Sequence, residues 1–474
     1  MPNVSPHIAE IVAWLQAIAP ATQLSSDSRT IAEGDVFFAY PCDEADGCKY
    51  IAHAIEKGAK AVIHEAERFE WDATWAVPHL PVMNLKVAAG PIANAYYGRP
   101  DADLFTIAVT GTNGKTSCTQ WLGSAISLLG EPTAVIGTLG VGIFTNGEHG
   151  EFNATGYTTP DAVLFQRRLA KVRGDGAVAL AIEASSIGLD QGRLNGVHFD
   201  VALFTNLTRD HLDYHGTMAA YEEAKSRLFD WPGLKHAVVN LDDDMGLRLI
   251  RRLQQGDVPA VITGYTLCGR AAEGVAVLKA SDIRTSHSGT MFCIESPFGA
   301  AQLRVELVGR FNVSNLLGII GVLLAKGVTW QDAIGTVEAL TAVPGRMQQL
   351  GGQDAPLVVI DYAHTSDALE KTLASLRQVA EERGGRLWCV FGCGGDRDSG
   401  KRAQMGVASL AADQVIVTSD NPRDEEPSAI ISQITAGMAE NKTPYTEIED
   451  RAAAILWAVR HASKNDVVLL AGKG

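Results

Sequence analysis

Short apolar runs alternate along the chain with longer stretches in which apolar residues recur every three or four positions. The short runs indicate buried strands, and the longer spacing indicates amphipathic helices. Because strands that alternate with helices form parallel sheets covered by helices, the pattern predicts an α/β fold. The predicted strands are residues 35–39, 59–63, 105–110, 176–182, 201–204, 357–360, 387–391, 414–418 and 467–471. The predicted helices are residues 51–58, 115–129, 366–382 and 427–440.

Breaks in this pattern divide the chain into three predicted domains. Gly and Pro interrupt the pattern at residues 97–104, and a second interruption begins at Pro344. We therefore predict domains at residues 1–100, 101–343 and 344–474. The length of 474 residues agrees with this division, since a domain averages about 150 residues.

The composition is that of an ordinary globular protein, with 46% hydrophobic and 20% charged residues. A net charge of −15 argues against a general nucleic-acid binder. It still allows a pocket for a small anion, because local charge can oppose the net charge. The 47 glycines suit tight loops beneath bound ligands.

The seven cysteines are scattered and lack the paired spacing of a zinc site. The first 15 residues carry polar and acidic positions where a secretory signal has an apolar core. The longest apolar stretch, residues 316–325, is too short to cross a bilayer. We therefore predict a cytoplasmic protein without membrane insertion.

A glycine-rich loop between a predicted strand and a predicted helix carries the clearest chemical signal. Val109 stands where the strict phosphate-loop pattern has Gly, so the literal motif fails. Gly111 and Gly114 still let backbone N–H groups turn toward phosphate oxygens at a helix N-terminus. Lys115 would reach terminal phosphates, and the Thr116 hydroxyl suits Mg²⁺. The alternative is a plain strand-to-helix turn with a surface lysine.

Further polar residues follow other predicted strands, at the sheet edge where ligands gather in α/β proteins. Glu183 directly follows one strand and is placed to reach a metal ion, or else to cap a helix or form an ion pair. His211, Asp213 and His215 share a short polar loop after strand 201–204. This concentration favours a site over a lone structural histidine.

Lys225 lies on the apolar stripe formed by Tyr221, Ala224 and Leu228. A desolvated lysine has a lowered pKa, and its neutral amine takes up CO₂ to form a carbamate, an anionic metal ligand. The alternative is a lysine whose charged end reaches water. From the residues alone, this alternative is favoured.

Together and in this order, these segments make the chain resemble the Mur ligase family, the ATP-dependent amide-bond synthetases of peptidoglycan assembly. The resemblance covers essentially the whole chain and implies three domains: an N-terminal domain for the UDP-sugar substrate, a central P-loop ATPase domain on a parallel sheet, and a C-terminal Rossmann-like domain for the incoming amino acid. The matching segments are residues 111–116, 183–186, 206–213, 221–225, 309–315, 344–346 and 361–364.

Within the family, the chain resembles the members that add meso-diaminopimelate to UDP-N-acetylmuramoyl-L-alanyl-D-glutamate. The loops Gly392–Arg397 and Asp420–Arg423 carry this likeness. Lysine-adding relatives lack the last arginine, Arg423. Diaminopimelate has a second amino-acid head that lysine lacks, and a guanidinium grips its carboxylate bidentately.

The resemblance implies ATP and Mg²⁺ as cofactors and reverses the interpretation of Lys225, which would be carbamylated. Implied catalytic residues are Lys115, His211 and Lys225. The implied metal ligands are Thr116, Glu183, His211 and carbamylated Lys225. The implied ATP contacts are Gly111, Thr112, Asn113, Gly114, Lys115, Thr116, Asn312, Asn315, Arg346, Asp361 and His364.

The resemblance also implies contacts to the other two substrates, through an acyl-phosphate mechanism. Those to the UDP-muramoyl dipeptide would come from Ser28, Arg29, Thr158, Thr159, Ser185, Gln191 and Arg193. Those to meso-diaminopimelate would come from Arg397, Asp420, Asn421, Pro422, Arg423 and Gly472.

The sequence departs from the family pattern at three places. Ile187 stands where the family usually has His, and Ser366 stands where Pro is common. The sequence ends at Gly474, where the family continues with His-Glu. From this we expect a shortened form lacking a glutamate that helps to hold the diaminopimelate amine.

Several alternatives stay open. The same chemistry with L-lysine is disfavoured by Arg423, and folylpolyglutamate synthesis is disfavoured by Ser26–Arg29. A non-catalytic nucleotide-binding regulator would bind ATP without forming an amide. A simple phosphotransferase has support only from the phosphate loop. We expect a monomer that binds small-molecule substrates and no nucleic acid.

Overall fold

The structure is a computed structural model that describes residues 7–41, 46–67, 69–154, 156–256, 259–286, 289–396, 398–439 and 443–473. Within these ranges the strands form three sheets, which follow one another along the chain. The predicted α/β fold is confirmed, and most predicted strands lie within a few residues of observed ones. The predicted strand 176–182, for example, is observed at Ala179–Glu183, and the predicted helix 427–440 at Pro427–Ala436.

The N-terminal part forms a four-stranded parallel sheet in the order β1-β2-β3-β4. Every residue of β2 and β3 is buried, because helices and loops cover both faces of the sheet. The elements are α1 (Ile8–Ile18), β1 (Leu24–Ser25), β2 (Val36–Ala39), α2 (Ile51–Glu56), β3 (Ala61–Glu65), β4 (His79–Val82) and α3 (Leu85–Tyr96).

The central part forms an eleven-stranded sheet in the order β15-β14-β13-β12-β11-β10-β5-β9-β6-β7-β8. The elements are β5 (Phe105–Thr110), α4 (Lys115–Leu128), β6 (Thr133–Gly137), β7 (Gly140–Thr145), β8 (Glu148–His149), α5 (Ala162–Gly174), β9 (Ala179–Glu183), α6 (Ser186–Asp190), β10 (Val201–Phe204), α7 (Leu212–His215), α8 (Met218–Ser226), β11 (His236–Asn240), α9 (Asp244–Gln255), β12 (Val261–Thr266), β13 (Ala276–Ser286), β14 (Gly289–Ser296), β15 (Gly299–Val305), α10 (Arg310–Ala325) and α11 (Trp330–Glu338).

The middle of this sheet, from β13 to β6, is parallel, as predicted. Both of its edges are antiparallel, and these edge strands were not predicted. Strands β13 to β15 alternate between buried and exposed positions, so they lack the continuous apolar runs that mark the central strands. α4 and α10 pack on one face of the sheet, and α5 and α9 on the other.

The C-terminal part forms a six-stranded sheet in the order β16-β17-β21-β18-β19-β20. All neighbouring strands are parallel except β16 and β17. The elements are β16 (Gln348–Gly351), β17 (Leu357–Asp361), α12 (Ser366–Arg383), β18 (Leu387–Phe391), α13 (Gly400–Ser409), β19 (Gln414–Val417), α14 (Pro427–Ala436), β20 (Tyr445–Glu447), α15 (Arg451–His461) and β21 (Val467–Ala471).

The helices of the structure are short or polar compared with a membrane-spanning helix. Among the described residues, no helix combines the length and the apolar character needed to cross a membrane. This agrees with the short apolar stretches in the sequence.

Candidate functional site

The carboxyl ends of the central and C-terminal sheets face a common cleft of about 1130 Å³. β5, β9 and β10 are neighbours in the central sheet, so the loops that follow them meet at this edge. The predicted site residues that line the cleft are Thr112, Asn113, Gly114, Lys115, Thr116, Thr158, Thr159, Glu183, Ser185, Gln191, Arg193, His211, Lys225, Asn312, Asn315, Arg346, Asp361, His364, Asp420, Asn421, Arg423 and Gly472.

A few predicted site residues are not part of this lining. Gly111 and Pro422 belong to loops whose neighbouring residues line the cleft. Ser28 and Arg29 lie in the N-terminal part of the chain. Arg397 lies outside the described residues, so its predicted role stays a prediction.

Ser28 and Arg29 lie near the junction of the N-terminal and central parts. Ser28 is buried, whereas Arg29 is exposed and pairs with Asp27 at 2.8 Å. The neighbouring Ser26 hydroxyl donates a hydrogen bond to Asp161 Oδ1 of the central part at 2.7 Å. The structure thus places this segment beside the central domain but does not bring it into the cleft.

Two glycines shape the phosphate loop between β5 and α4. Gly111 has φ of +147°, and a Cβ there would overlap the Thr205 hydroxyl. Gly114 has φ of +87°, and a Cβ there would lie 2.8 Å from Asn315 Oδ1. Both positions therefore require glycine for conformation and for space. The loop leads directly into the N-terminus of α4.

Two lysines converge on this loop. The Nζ atoms of Lys115 and Lys225 each lie 2.9 Å from the carbonyl oxygen of Gly111. Lys225 is 1% exposed, and its Nζ lies 4.4 Å from the ring centre of Tyr221. Burial, together with the charge of Lys115, holds the pKa of Lys225 well below its usual range. The alternative in which Lys225 extends to water is therefore excluded.

Glu183, at the end of β9, is buried next to the start of α4. Its Oε2 accepts a hydrogen bond from Thr116 Oγ1 at 3.0 Å, and its Oε1 accepts one from Thr138 N at 2.8 Å. A Cβ at Gly137 would overlap this carboxylate. The end of β6 thus leaves the space that Glu183 occupies.

Nitrogen-bearing side chains from two domains surround Asp210. Its carboxylate lies 3.5 Å from Nε2 of His211, 3.5 Å from Nε2 of His364 and 3.4 Å from Nζ of Lys401. Burial opposes its ionisation, but the hydrogen bond from His364 and the charge of Lys401 hold the pKa of Asp210 well below its usual range. Burial lowers the pKa of His211 to about 4, so its imidazole is neutral near pH 7.

Direct contacts join the phosphate loop to the C-terminal domain. Arg346 Nη2 donates to Thr116 Oγ1 at 2.9 Å. Asn113 Nδ2 donates to Asp367 Oδ2 at 3.2 Å. The C-terminal domain is therefore closed against the loop in this structure.

Asn312 and Asp361, which both line the cleft, are hydrogen-bonded to backbone groups. Asn312 Nδ2 donates to the carbonyl oxygen of Val308 at 2.8 Å. Asp361 accepts from the backbone N–H groups of Met347 and Ala363, at 2.9 Å each. Both carboxylate oxygens of Asp361 are thus engaged with backbone, and burial raises its pKa.

The loops after β18 and β19 meet on the opposite side of the cleft. Arg423 has φ of +51° and donates through Nη1 to the carbonyl oxygen of Gly395 at 2.6 Å. Gly395 N donates to the carbonyl oxygen of Asn421 at 2.9 Å. Asp420 Oδ1 is buried and has no hydrogen-bond partner among the described residues, although Lys473 Nζ lies 3.5 Å away.

A third group of predicted residues, from the central domain, lines the same cleft. The hydroxyls of Thr159 and Ser185 are 2.9 Å apart. Arg193 donates through Nη1 to the carbonyl oxygen of Thr159 at 2.9 Å and through Nε to Gln191 Oε1 at 2.8 Å. Thr158 lines the cleft beside them. One cleft thus brings the predicted nucleotide, dipeptide and amino-acid residues together.

Sequence reasoning missed Thr138, which contacts the predicted ligand Glu183, and Lys401, which pairs with Asp210 in the matching segment 206–213. Lys401 pairs with a residue 191 positions away in the chain, so no local pattern marks it. Its place after a glycine-rich loop at a strand end was the available signal. Among the described residues, no three His, Cys, Asp or Glu side chains cluster as a ready-made metal cage.

Three family models match successive parts of the chain. The Mur ligase family catalytic-domain model matches residues 20–97, the Mur ligase middle-domain model matches residues 109–323, and the Mur ligase glutamate ligase domain model matches residues 345–474. Together they span most of the chain, in the same order as its three sheets.

Curated relatives cover nearly all of the chain. A UDP-N-acetylmuramoyl-L-alanyl-D-glutamate–2,6-diaminopimelate ligase from Janthinobacterium sp. (strain Marseille) is 68% identical, over 98% of this chain and 92% of the relative. A ligase of the same name from Ralstonia nicotianae is 50% identical, over 99% of this chain and 92% of the relative. A solved structure of a ligase of the same name has a TM-score of 0.68 at 36% identity, covering 97% of this chain and 93% of its own.

Proposed function

The chain belongs to the Mur ligase family, and from this premise we propose that it is the ATP-dependent ligase that adds meso-diaminopimelate to UDP-N-acetylmuramoyl-L-alanyl-D-glutamate in peptidoglycan synthesis. Arg423 lines the same cleft as the phosphate loop, and this supports meso-diaminopimelate as the acceptor. The names of relatives at 68% and 50% identity support the same activity.

ATP would bind with its phosphates on the loop before α4. The glycine backbone and the N-terminus of α4 offer N–H groups and positive potential to phosphate oxygens. Lys115 would turn from the carbonyls of Gly111 and Thr112, 2.9 and 2.8 Å away, toward the terminal phosphates. The proposed further contacts to ATP line the same cleft and are Asn312, Asn315, Arg346, Asp361 and His364.

Mg²⁺ fits the oxygen atoms beside this loop. Thr116 Oγ1 and the Glu183 carboxylate are 3.0 Å apart, and Mg²⁺ prefers such oxygen ligands together with substrate phosphates over an all-protein cage. His211 and a carbamylated Lys225 are the other proposed ligands. When bound, the metal would offset the charge that develops as phosphate transfers.

Carbamylation of Lys225 is supported by its surroundings. Two ammonium groups sharing the Gly111 carbonyl would repel each other in a buried place, and burial holds the pKa of Lys225 well below its usual range, which favours the neutral amine. Its nitrogen lone pair would attack the carbon of CO₂, with loss of one proton, to give a carbamate anion. The new oxygens would extend from Nζ into the cleft that Lys225 lines.

The reaction would pass through an acyl phosphate. A carboxylate oxygen of the D-glutamyl residue would attack the γ-phosphorus of ATP, with ADP as the leaving group. The amine of meso-diaminopimelate would then attack the acyl carbon, lose a proton and displace phosphate. The protein would mainly hold three substrates in line and exclude water from the intermediate. The dipeptide would be positioned by Thr158, Thr159, Ser185, Gln191 and Arg193. The uridine nucleotide would be contacted by Ser28 and Arg29.

The acceptor would lie between the loops after β18, β19 and β21. Asp420 supports this assignment because its buried Oδ1 has no hydrogen-bond partner among the described residues and can accept from an ammonium group. Arg423 would pair with the carboxylate that distinguishes diaminopimelate from lysine. The remaining proposed contacts to meso-diaminopimelate are Asn421, Pro422, Gly472 and Arg397.

The test is phosphate release with the UDP-dipeptide, ATP and Mg²⁺, in the presence of meso-diaminopimelate or L-lysine. We expect release with diaminopimelate and little with lysine. Release with lysine alone would assign the other acceptor. ATP binding without release would favour a nucleotide-binding regulator. Lys115→Ala is expected to abolish release, and near-normal turnover in that variant would contradict the mechanism.

A further inference from the structure

Arg402 lies behind the acceptor side of the cleft and is almost completely buried, with 1% of its side chain exposed. It belongs to the first turn of α13, after the loop that follows β18. It does not line the cleft, and no sequence motif pointed to it. A buried guanidinium needs several acceptors to offset its desolvation.

Those acceptors come from three separate segments. Arg402 Nη1 donates to Glu425 Oε2 and to Gln433 Oε1, at 2.8 Å each. Its Nη2 donates to Glu425 Oε1 at 2.7 Å and to the carbonyl oxygen of Gly394 at 3.1 Å. The guanidinium therefore ties the loop after β18 to the segment after β19 and to α14.

Glu425 completes the connection between the two loops. Its Oε1 also accepts from the backbone N–H of Asp396 at 2.6 Å. The Asp424 N–H donates back to Asp396 Oδ2 at 3.0 Å. Hydrogen bonds from Arg402 and Asp396 lower the pKa of Glu425 to about 2, so the pair stays ionised across the physiological range.

The loops held in this way have backbone conformations that need support. Asp396 and Arg423 both have positive φ, at 50° and 51°, and such residues persist where surrounding contacts over-determine them. A Cβ at Gly395 would overlap the carbonyl of Pro422, so the two loops touch through backbone. The side chain of Arg423 is held at the same place, by its hydrogen bond to the carbonyl oxygen of Gly395.

We propose that Arg402, through its bidentate pair with Glu425, is a positioning residue that fixes the two loops and thereby sets the selectivity for an acceptor with a second carboxylate. This rests on the proposed function, because the acceptor is the diaminopimelate assigned to these loops. Arg402 lies outside the cleft lining and would touch no substrate. It acts by holding Asp420 and Arg423 at a fixed separation.

The test is steady-state kinetics of Arg402→Lys, with KM measured separately for each of the three substrates. A lysine keeps the charge but lacks the planar fork that joins Glu425, Gln433 and Gly394. We expect KM for meso-diaminopimelate to rise at least about tenfold, since loop displacements near 1 Å carry costs of that order. KM for ATP and for the UDP-dipeptide should stay within about twofold of wild type.

A second readout separates positioning from general destabilisation. The ratio of kcat/KM for meso-diaminopimelate to that for L-lysine should fall in Arg402→Lys, because lysine makes no use of Arg423. A merely structural role would lower both values equally. Equal changes in KM for ATP, the UDP-dipeptide and meso-diaminopimelate would overturn the proposal. An unchanged ratio of the two kcat/KM values would overturn it as well.

Two further variants keep the test decisive. Glu425→Gln removes the ion pair at a partly exposed position and should shift the same KM in the same direction, whether or not Arg402→Lys folds. The matched control is Arg377→Lys, which alters another arginine–carboxylate pair of the same domain, to Asp413 at 2.6 Å; neither residue lines the cleft. It should leave all three KM values unchanged.

Failure of the inference is distinguishable from failure of the proposed function. If wild-type protein releases no phosphate with meso-diaminopimelate, the function itself is refuted. If wild type is active and Arg402→Lys and Glu425→Gln keep its KM values, only the positioning role is refuted.

Discussion

At the scale of single residues, the missing side chain of Gly137 matters as much as the charged groups beside it. Glu183 fills the space that a Cβ would take and reaches both Thr116 and Thr138. Because packed interiors leave little room for adjustment, even a methyl group there must move the carboxylate.

Gly137→Ala is therefore expected to lower kcat/KM by about tenfold or more and to raise the Mg²⁺ concentration needed for half-maximal activity. The measurement is a magnesium titration of phosphate release. Gly335→Ala is the control: it lies in α11, and a Cβ there meets nothing within 4 Å. It should keep full activity and gain about 0.5–1 kcal/mol in unfolding free energy. A normal magnesium requirement in Gly137→Ala would contradict this account of Glu183.

Lys225 allows a prediction that does not depend on turnover. Protein equilibrated with ¹³C-bicarbonate should show a carbamate carbon resonance that is absent from Lys225→Arg, because the arginine side chain stays charged and forms no carbamate. An identical spectrum from both proteins would contradict the assignment. Lys115→Arg is the matched control and should keep the resonance.

At the scale of elements, one cluster fastens the amino ends of three neighbouring strands. His198 lies 3.0 Å from Asp101 and 3.5 Å from Asp200. Asp200 accepts from Thr106 N at the start of β5, at 2.8 Å, and pairs with Lys235 before β11 at 2.7 Å. Hydrogen bonds to Asp101 and Asp200 raise the pKa of His198 to about 9.

This raised pKa predicts how stability changes with pH. The folded state keeps a proton on His198 that the unfolded state loses near pH 6.5. The stabilisation is therefore complete below about pH 6.5 and is lost as the pH rises through about 9. For this part-exposed side chain we expect a loss of about 1–2 kcal/mol. Urea unfolding at pH 6.5 and 9.5 should show that loss in wild type and a smaller one in His198→Gln; equal losses would contradict the assignment.

The strands also show which parts of the fold a sequence pattern can predict. β5 and β10 were predictable because both faces of a parallel strand are buried, which requires a continuous apolar run. The antiparallel edges β13 to β15 were not, since one exposed face breaks that run. Glu183 followed from its place after a strand, whereas its partner Thr138, 45 positions away, did not. Contacts of that separation arise only when the sheet order is known.

At the scale of the whole molecule, charged contacts hold the C-terminal domain against the central domain. Lys401 reaches the buried Asp210, and Arg209 Nε lies 3.2 Å from Asp398 Oδ2. Lys401→Met should weaken the closed arrangement by about 1–3 kcal/mol, the cost of leaving a buried charge with fewer partners.

That change is expected to increase the radius of gyration in small-angle scattering and to lower kcat. Lys171→Met, which removes an exposed pair with Asp175, is the control and should alter neither quantity. A Lys401→Met protein as compact and as active as wild type would show that this contact does not hold the domains together.

The order of strands in the C-terminal sheet has a consequence for the making of the protein. β21 is inserted between β17 and β18, although more than 70 residues separate it from β18 along the chain. During synthesis the N-terminal and central domains are able to fold as they emerge. The C-terminal sheet cannot be completed until residues 467–471 have been synthesised. Until then, one edge of β17 and one edge of β18 stay unpaired. A nascent chain interrupted before this point would carry two finished domains and a third open to aggregation.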